Sequence, residues 1–458
     1  MAKKIWERAE TGELSDVDIM ATHVLEDCKT ISADIIEMII TEMNEGLRSD
    51  KSFRREQGLV LKEKDRRRSV LTTLGPIEYK RDYYYDKNTG RHCSVLDRML
   101  GIEKYERIGG AVGAELVNQA AMCSYAKAAA IVTGGAVSRQ SVRLQILKAN
   151  IPEKEPWEEN RAVKELHVYA DEDHVHMQKP GKERGKRNRI VPLITVTEGT
   201  DRIAERRNRT RNPMYFSDRE LNPKAAWESV EGYIEKAYDI DQLEAIYVHG
   251  DGGSWIEKGL NNFAKTRHVM DGYHFYKELR GVSQILPKRN VRTALIFALK
   301  HNDRKRADDY MQELLASPLN DKERERLERF AVYLFRSWDT IRRRVTEDIP
   351  GSCTEAQISH VLSERLSRDP IGWGVEALGQ IVETRVYLFN GGRLEKKDMR
   401  RVKEDPETYR KYAERCIEEY LKSARDFSLF EKEEPIMDTG SATRIMIHKM
   451  GRTMSLLS

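Results

Sequence analysis

Residues 245–256 read AIYVHGDGGSWI, and this stretch predicts a strand that ends at a carboxylate. The apolar, β-branched run at 245–248 is typical of a buried strand. The run stops at Asp251, which stands among three glycines, although a plain turn needs only one. Two interpretations follow: a glycine-rich turn carrying a solvated Asp, or a loop whose backbone lets another molecule approach closely.

The chain of 458 residues is rich in charge, with 34% charged and 39% hydrophobic residues. Its 79 Lys and Arg nearly balance 75 Asp and Glu, giving a net charge of +4. The basic residues cluster, however, at 62–68, 179–189, 206–211 and 341–344. One such cluster is typical of a solvated surface. Several in one chain favour a polyanionic partner such as DNA.

Other classes of protein are disfavoured by what the sequence lacks. No run approaches the roughly 18 consecutive apolar residues of a membrane helix, and the N-terminus MAKKIWERAE has no apolar signal segment. The five cysteines are scattered and form no C-x-x-C pair, so neither a disulfide framework nor a cysteine-rich zinc site is indicated. We therefore expect a cytoplasmic protein with no membrane partner.

The N-terminal half is predicted to contain a helical region at 1–58, followed at 59–150 by a small β-hairpin and a DNA-binding region. In the first region Ser32 is predicted to cap a helix. The apolar residues predicted to share one face of that helix are Ile35, Ile36, Ile39, Ile40 and Met43.

The segment SYAKAAAIVTGGAVSRQSVRLQILKAN (124–150) resembles a helix-turn-helix. Its first helix is predicted to end at Thr133, and Ser138 is predicted to cap the second helix after a turn at 134–137. Polar and basic side chains at the start of a second helix suit readout of the DNA major groove, although an ordinary corner between two helices has the same pattern. The DNA-binding residues predicted here and in the basic loop are Arg139, Gln140, Arg143, Lys186, Arg187 and Arg189.

A polar linker is predicted at 151–160. After it, the sequence predicts alternating strands and helices over 161–281. We expect an all-helical insertion at 282–350, one more core helix at 351–392 and a charged helical tail at 393–458. The predicted fold class is thus a multidomain α+β or α/β protein.

Acidic residues fall where the predicted strands end or a helix begins: Asp171 in VYADEDHV, Asp251, Asp271 in DGYH and Glu355 in SCTEAQ. Mg²⁺ binds a few carboxylates together with water and phosphate oxygens, and two such ions can promote phosphodiester displacement. Further acidic residues compete for the same roles, namely Glu172, Asp173, Glu364 and Glu376.

The order of hairpin, strand, helix, strand and late acidic helix is the layout of an RNase H-like domain. In this layout Asp171 lies on the first strand and Asp251 at the end of the fourth. Glu355 then comes from a helix that follows the helical insertion, although Glu364 lies on the same predicted helix.

The chain resembles the ISLre-type bacterial insertion-sequence transposases, a DDE family long catalogued as uncharacterised. The resemblance extends from about residue 60 to 392. It is carried by TTLGPIEYKRDYY, SYAKAAAIV, VYADEDHVHMQ, VHGDGGSWI, DGYHFYKEL and TEAQISHVLSERLSRDPIGW.

This resemblance implies that Asp171, Asp251 and Glu355 are the catalytic residues and the ligands of two Mg²⁺ or Mn²⁺ ions. Asp271 and His274 look like the Asp-x-x-His signature of Mutator-like transposases, although this chain has Gly-Tyr between them where a bulkier apolar residue is frequent. Arg365 is a supporting candidate that would hold a DNA phosphate, and the alternative is a surface ion pair with Glu364.

The function that follows is a DDE-type transposase acting on double-stranded DNA in the bacterial cytoplasm, at element ends and at target DNA. Joining two ends implies a homodimer or a higher assembly on DNA. Two alternatives stay open: a catalytically silent DNA-binding derivative, or an RNase H-like nuclease that cuts without joining.

Overall fold

The computed structural model describes residues 16–153, 155, 156, 158–178, 188–204, 207–351, 353–369, 371–399 and 411–418. It is a mixed α/β structure, as predicted, and divides into two compact units. One unit is Met1–Gly109 with Val402–Ser458, and the other is Gly110–Arg401. Across the described residues, no helix combines the length and apolar character needed to cross a bilayer.

The first unit combines a long helix with a three-stranded antiparallel sheet in the order β1-β2-β3. Turn residues Thr73 and Leu74 join β1 to β2, so the expected hairpin is confirmed. Residues 411–418 are helical and belong to the same unit. The elements are α1 (Val17–Ser49), α2 (Lys51–Glu56), β1 (Leu59–Thr72), β2 (Gly75–Asp86), β3 (Arg91–Cys93) and α3 (Val95–Met99).

Helix α1 begins half a helix earlier than the sequence predicted. Its N-cap is Asp16, whose side chain accepts from the N–H groups of Asp18 and Ile19. Ser32 lies inside the helix and donates its hydroxyl to the Cys28 carbonyl at 2.7 Å, so its predicted capping role is wrong. Ile35 is 46% exposed and does not share the buried face of the helix.

Buried carboxylates in this first unit are matched by arginines. Asp82 is fully buried, and Arg48 donates to both of its oxygens at 2.8 Å. The carboxylate of Asp97 forms an ion pair with Arg68 at 3.0 Å and a second ion pair with Arg81. Each negative charge removed from water here therefore has a guanidinium beside it.

The second unit contains a five-stranded sheet in the order β10-β9-β4-β5-β8. Strand β5 is antiparallel to both neighbours, whereas β4, β9 and β10 are mutually parallel. The strands of this unit are β4 (Glu165–His176), β5 (Asn188–Thr197), β6 (Thr200–Ala204), β7 (Arg207–Thr210), β8 (Met214–Phe216), β9 (Ala245–Gly250) and β10 (Thr266–Met270). β6 and β7 form a separate two-stranded ribbon that the sequence analysis did not predict.

The helices of the second unit cover the sheet and extend beyond it. They are α4 (Gly110–Met122), α5 (Tyr125–Thr133), α6 (Arg139–Lys148), α7 (Pro223–Ala237), α8 (Gly272–Ser283), α9 (Val291–Lys300), α10 (Arg304–Leu315), α11 (Asp321–Arg336), α12 (Trp338–Thr346), α13 (Thr354–Ile358), α14 (Glu364–Leu366) and α15 (Val375–Phe389). Helices α8 to α12 surround a core of their own, so 282–350 is helical but broken by loops.

The two faces of β4 have different neighbours. Leu166, Val168 and Ala170 point into a core shared with α7. The alternate residues, Tyr169 and Asp171 among them, point to the opposite face. That face is the one on which the acidic residues of the candidate active site lie.

The helix-turn-helix-like segment has the local geometry that the sequence predicted. Helix α5 ends at Thr133, and Gly134 follows in the left-handed conformation with φ of 60°. Ser138 caps α6 by accepting from the N–H of Ser141 at 3.1 Å. Helices α4, α5 and α6 pack together, and α15 packs against α4 and α6.

Candidate active site

Three aspartates lie level with one another across three neighbouring parallel strands, with Asp171 inside β4 and not at its end as the sequence predicted. β9 and β10 pair in register up to their last residues, and Asp251 and Asp271 follow directly. β4 pairs Tyr169 with His249, so Asp171, two residues further along, stands level with Asp251. Alternate side chains share a face, and adjacent strands lie roughly 4.8 Å apart. These three residues, the aspartate row, therefore project from one face of the sheet.

Burial dominates the chemistry of Asp171 within this row. Removal from water raises the pKa of its carboxyl to about 6. The N–H of Glu172 donates to Oδ1 at 2.8 Å and, like His274, favours the charged form. The charges of Asp251 and Asp271 act in the opposite direction. The row is thus electrostatically coupled, and Asp171 takes up a proton near pH 6.

Asp271 is the buried structural anchor of the row, with 1% exposure. It caps α8 by accepting from the N–H of His274 at 3.1 Å, and its own N–H donates to the Gly250 carbonyl at 2.7 Å. Its Oδ2 accepts from the buried hydroxyl of Thr354 at 2.9 Å. The backbone N–H and the carboxylate of this one residue therefore join the ends of β9 and β10 to the starts of α8 and α13.

His274 places a basic ring beside the row. Its Nδ1 lies 3.4 Å from Oδ1 of Asp271. The interaction with Asp271 is the main cause that raises the pKa of His274 above 6.5. Burial opposes this rise, and the charges of Asp171 and Asp251 add to it. A protonated imidazole here offsets part of the negative charge of the three aspartates.

Glu355 lies in the first turn of α13, directly after Thr354, and is exposed. The bond from Thr354 to Asp271 therefore fixes the backbone next to Glu355 at the aspartate row. Glu364 lies beyond a π-helical segment, with His360 at 3.2 Å and Arg368 at 4.0 Å. These contacts favour Glu355, although the choice between the two residues stays a prediction.

The glycines around Asp251 have structural reasons of their own. A Cβ on Gly250 would come within 2.5 Å of Ile256, and Gly252 has φ of 90°. The N–H of Gly253 donates to Oδ1 of Asp251 at 2.9 Å. Close packing and a left-handed turn thus account for two glycines, and the third orients the carboxylate.

The competing acidic residues of β4 are held by other groups. Glu172 points to the opposite face of the strand, where Trp255 donates its Nε1–H to the carboxylate at 2.7 Å. Trp255 also packs against the core under α7. Asp173 is buried and accepts from the hydroxyl of Ser367 at 2.9 Å. Neither carboxylate joins the aspartate row.

Two buried histidines support the same face of the sheet, and the sequence analysis did not predict them as a pair. His167 and His249 are 3% and 0% exposed, and their ring nitrogens lie 3.2 Å apart. Burial lowers the pKa of His167 to about 4 and lowers that of His249 as well. Both rings are therefore neutral, and His249 stacks on Tyr169 below the row.

Arg365 requires a correction, because the sequence predicted a surface side chain. It is 6% exposed, donates through Nε to the Ala120 carbonyl at 2.9 Å, and lies over the Trp373 ring at 4.7 Å. Neither a DNA phosphate nor a surface ion pair with Glu364 fits this position. Its extended aliphatic stem and planar guanidinium are instead packed between α4 and the segment after α14.

A second buried arginine, Arg385 of α15, was missed by the sequence analysis. It is 1% exposed and donates to the carbonyls of Ala121, His360 and Val361. Two of these carbonyls belong to the π-helical segment, where the regular i to i−4 pattern is lost. The guanidinium therefore donates to backbone carbonyls that this irregularity leaves without their regular hydrogen-bond partner.

The predicted DNA-binding residues differ in exposure. Arg139 and Gln140 are exposed at the start of α6, and Arg143 is half-buried one turn later. Arg189 is half-buried and donates to the Glu220 carbonyl at 2.7 Å. Two predicted residues, Lys186 and Arg187, lie outside the described residues.

Of the predicted site residues, the fold brings Asp171, Asp251 and Asp271 together, with His274 beside them. Thr354 is the functional contact that the sequence analysis missed, and its only signal was its place directly before Glu355. Within the part of the chain that the structure describes, no three His, Cys, Asp or Glu side chains are already gathered as a metal cluster.

The sequence model of a family described as "Uncharacterised protein family (UPF0236)" matches residues 13–441. Three similar proteins of Caldanaerobacter subterraneus subsp. tengcongensis carry UPF0236 names. One is 34% identical over 361 residues, covering 78% of this chain and 75% of its own, and its name joins four designations. Another is 34% identical, and the match covers 78% of this chain and 71% of that relative. A third is 33% identical, and the match covers 80% of this chain and 76% of that relative. The name of the third joins eleven designations.

Proposed function

The chain belongs to the UPF0236 family, and we propose that it is a DDE-type transposase. In this proposal it binds the ends of an insertion sequence, cuts phosphodiester bonds and joins 3′-hydroxyl ends to target DNA in the bacterial cytoplasm. The observation that carries the proposal is the aspartate row. Three carboxylates carried by neighbouring strands are arranged level on one face, and the helix of Glu355 is anchored to one of them, Asp271, through Thr354.

The sheet supports an RNase H-like core. Counted along the chain within this sheet, its strands are ordered fifth, fourth, first, second, third, and only the second is antiparallel. Asp171 lies within the first of these strands, and Asp251 and Asp271 follow the fourth and the fifth. The positions of Asp171 and Asp251 agree with the layout that the resemblance to DDE transposases implies.

The donor set suits a hard divalent cation. Asp171, Asp251 and Glu355 offer only carboxylate oxygens, the ligands that Mg²⁺ and Mn²⁺ prefer. The raised pKa of Asp171 shows a buried carboxyl whose charge is not compensated by an adjacent guanidinium in the described contacts. Two Mg²⁺ or Mn²⁺ ions, when bound, would supply Lewis acidity at the attacking and leaving oxygens of the phosphodiester.

The chain's own residues would position the DNA and the charges. Asp171 and Asp251 would hold the cations, and Glu355 would complete the site from α13. Asp271 keeps the strand ends and α13 in fixed relation, and the His274 ring faces Asp271, whose carboxylate raises the pKa of the imidazole. The neutral pair of His167 and His249 keeps the floor of the site free of competing positive charge.

Recognition of element ends is assigned to α5 and α6. Arg139 and Gln140 stand exposed at the N-terminus of the second helix, where a recognition helix meets base edges. The names of two relatives, which join four and eleven designations, give independent support to the transposase proposal. Several copies of one protein in a genome are what a mobile element leaves behind.

A cleavage and joining assay tests this proposal. The full chain is incubated with a labelled duplex carrying the terminal inverted repeat of its own element, in Mg²⁺, Mn²⁺ or EDTA. We expect metal-dependent nicking at the repeat boundary and joined products. Asp251→Asn should lower the rate by roughly 1,000-fold or more, because it removes a cation ligand needed in the transition state.

Three further variants sharpen the result. Glu355→Gln should match Asp251→Asn, whereas Glu364→Gln should retain activity. Asp241→Asn changes an exposed carboxylate of the same unit and serves as the control. Boundary-specific binding without cutting in any metal would instead identify a silent DNA-binding derivative, and cutting without joining would identify a nuclease.

A further inference from the structure

Helix α1 carries an apolar stripe on the side that faces away from its own unit. Seven positions at alternating spacings of four and three residues are all apolar or Cys, over 22 residues of one uninterrupted helix. These positions, the outer stripe, are Val17, Ala21, Val24, Cys28, Ile31, Ile35 and Met38.

Six of the seven residues of the outer stripe are exposed although the stripe is apolar, and Val24 is half-buried. Val17 is 74% exposed, Met38 55% and Ile35 46%. The inner side of the same helix is a different set of residues, including Ile40 and Met43, which pack into the core of the first unit. The outer stripe is therefore surplus to the folding of that unit, and large exposed apolar surfaces of this kind mark interaction sites.

The spacing identifies what kind of partner fits. A repeat of 3.5 residues differs from the 3.6 of a straight α-helix and keeps a seam in contact only with another helix that supercoils around it. We propose that the outer stripe is a parallel, two-stranded coiled-coil seam that joins α1 to the α1 of a second copy of this chain.

The flanking residues favour the parallel arrangement. In a parallel pair the positions beside the seam bring Met20 next to Leu25 of the partner copy, extending the apolar contact. Both are exposed in the single chain, by 38% and 57%. An antiparallel pair centred on the stripe would bring the Asp27 residues of the two copies together, and like charges there would repel.

The small residues at the seam favour two strands over more. Val and Ile alone would also suit wider bundles. Ala21 and Cys28 are small, however, and would leave the broader interior of a three- or four-stranded bundle underfilled. This inference concerns assembly in the absence of DNA and metal, so its success or failure is separate from that of the transposase proposal.

The first experiment measures the mass of the full chain in solution by light scattering, without DNA. We expect two chains per particle. Ile31→Asp should raise the dissociation constant of the dimer by roughly 100-fold or more, because each copy loses a buried seam residue and two carboxylates meet. Thr30→Asp introduces the same group one residue away on the exposed surface and should leave the dimer intact.

The second experiment reads the orientation by disulfide formation with oxidised glutathione. On a Cys28→Ser background, Met38→Cys should give a covalent dimer, because a parallel in-register seam places this position opposite itself. Glu26→Cys, on the same background but on the outer surface of α1, should not crosslink. A wild-type monomer, a trimer, or a dimer that survives Ile31→Asp would overturn the proposal, as would crosslinking of Glu26→Cys but not Met38→Cys.

Discussion

The two units of this protein bury carboxylates in opposite ways. In the first unit burial alone would raise the pKa of Asp82, but the hydrogen bonds and charge of Arg48, together with hydrogen bonds from Asp65 and Asn44, outweigh it and hold the pKa below 3.8. In the second unit burial raises the pKa of Asp171 to about 6, and the hydrogen bond that its carboxylate accepts comes from the backbone N–H of Glu172. One carboxylate is neutralised by the fold, and the other lacks such a guanidinium and is the one for which we propose a cation.

This difference distinguishes a carboxylate that is paired within the fold, Asp82, from one for which we propose a function, Asp171. A buried acid beside an arginine lowers the free energy of the folded state only as part of the pair. A buried acid without such a partner costs stability whenever it is ionised, and a protein retains that cost where the charge has another use. Each of the following predictions removes or restores a partner on one side of this comparison.

The largest effect on stability is expected from Arg48→Met. It leaves the fully buried Asp82 without its guanidinium, and we expect a loss of about 3 kcal/mol in the free energy of unfolding at pH 7. Because the pKa of Asp82 is lowered in the folded state, the contribution of the pair is present above pH 4 and lost as the pH falls. Urea denaturation at pH 7 and pH 3 measures both, and Arg66→Met, which removes an exposed pair with Glu63, should cost under about 0.5 kcal/mol. An equal loss for both variants would mean that Asp82 does not depend on Arg48.

The opposite sign is expected for Asp171→Asn, which should stabilise the protein by about 2 kcal/mol at pH 8. The folded pKa of Asp171 is raised, so its ionisation costs stability as the pH rises through about 6, and the cost is absent below its unfolded value. The gain should therefore disappear at pH 4. Thermal unfolding at both pH values tests this, with the exposed Asp241→Asn as a control that should show no gain.

Addition of Mg²⁺ should narrow the difference in stability between these two proteins. At a cation concentration about ten times its dissociation constant, the wild type should gain about 1.4 kcal/mol, because binding to the folded state adds to its stability. Asp171→Asn should gain little. A melting series in Mg²⁺ with Ca²⁺-free buffer measures this narrowing, and an equal shift in both proteins would place the cation elsewhere.

The smallest effect is expected from Thr354→Val, which keeps the volume and removes the hydroxyl that donates to Asp271. We expect a loss of about 1 kcal/mol, since one hydrogen bond to a buried carboxylate disappears. The rate of cleavage should fall by more than this loss of stability explains, because α13 carries Glu355. Thr354→Ser restores the hydroxyl and should recover most of the rate, whereas a Val variant as active as the wild type would separate α13 from the site.

The sequence predicted the parts of the site that depend on local pattern. The end of β9 at Asp251 and the cap of α8 at Asp271 follow from abrupt changes between apolar and polar residues, and the glycine turn after α5 follows from backbone preference. These signals lie within a few neighbouring residues, so one sequence contains them in full.

The sequence could not predict contacts between distant segments. Nothing local distinguishes Arg365 on a helix surface from Arg365 buried against Ala120, 245 positions away. The same holds for Thr354 and Asp271, and for the level arrangement of three aspartates, which depends on strand register. The start of α1 was missed for another reason, because Ser32 resembles a cap but donates back within a helix that was already formed.

Arg385 has a consequence for how this protein can vary. Its partners are main-chain carbonyls at Ala121, His360 and Val361, which every amino acid supplies. Substitutions that keep the backbone there should be tolerated, whereas no other side chain at 385 offers a planar fork of five donors. The tolerance to mutation is thus one-sided: a saturation library should accept many residues at the exposed His360 and almost none but arginine at 385.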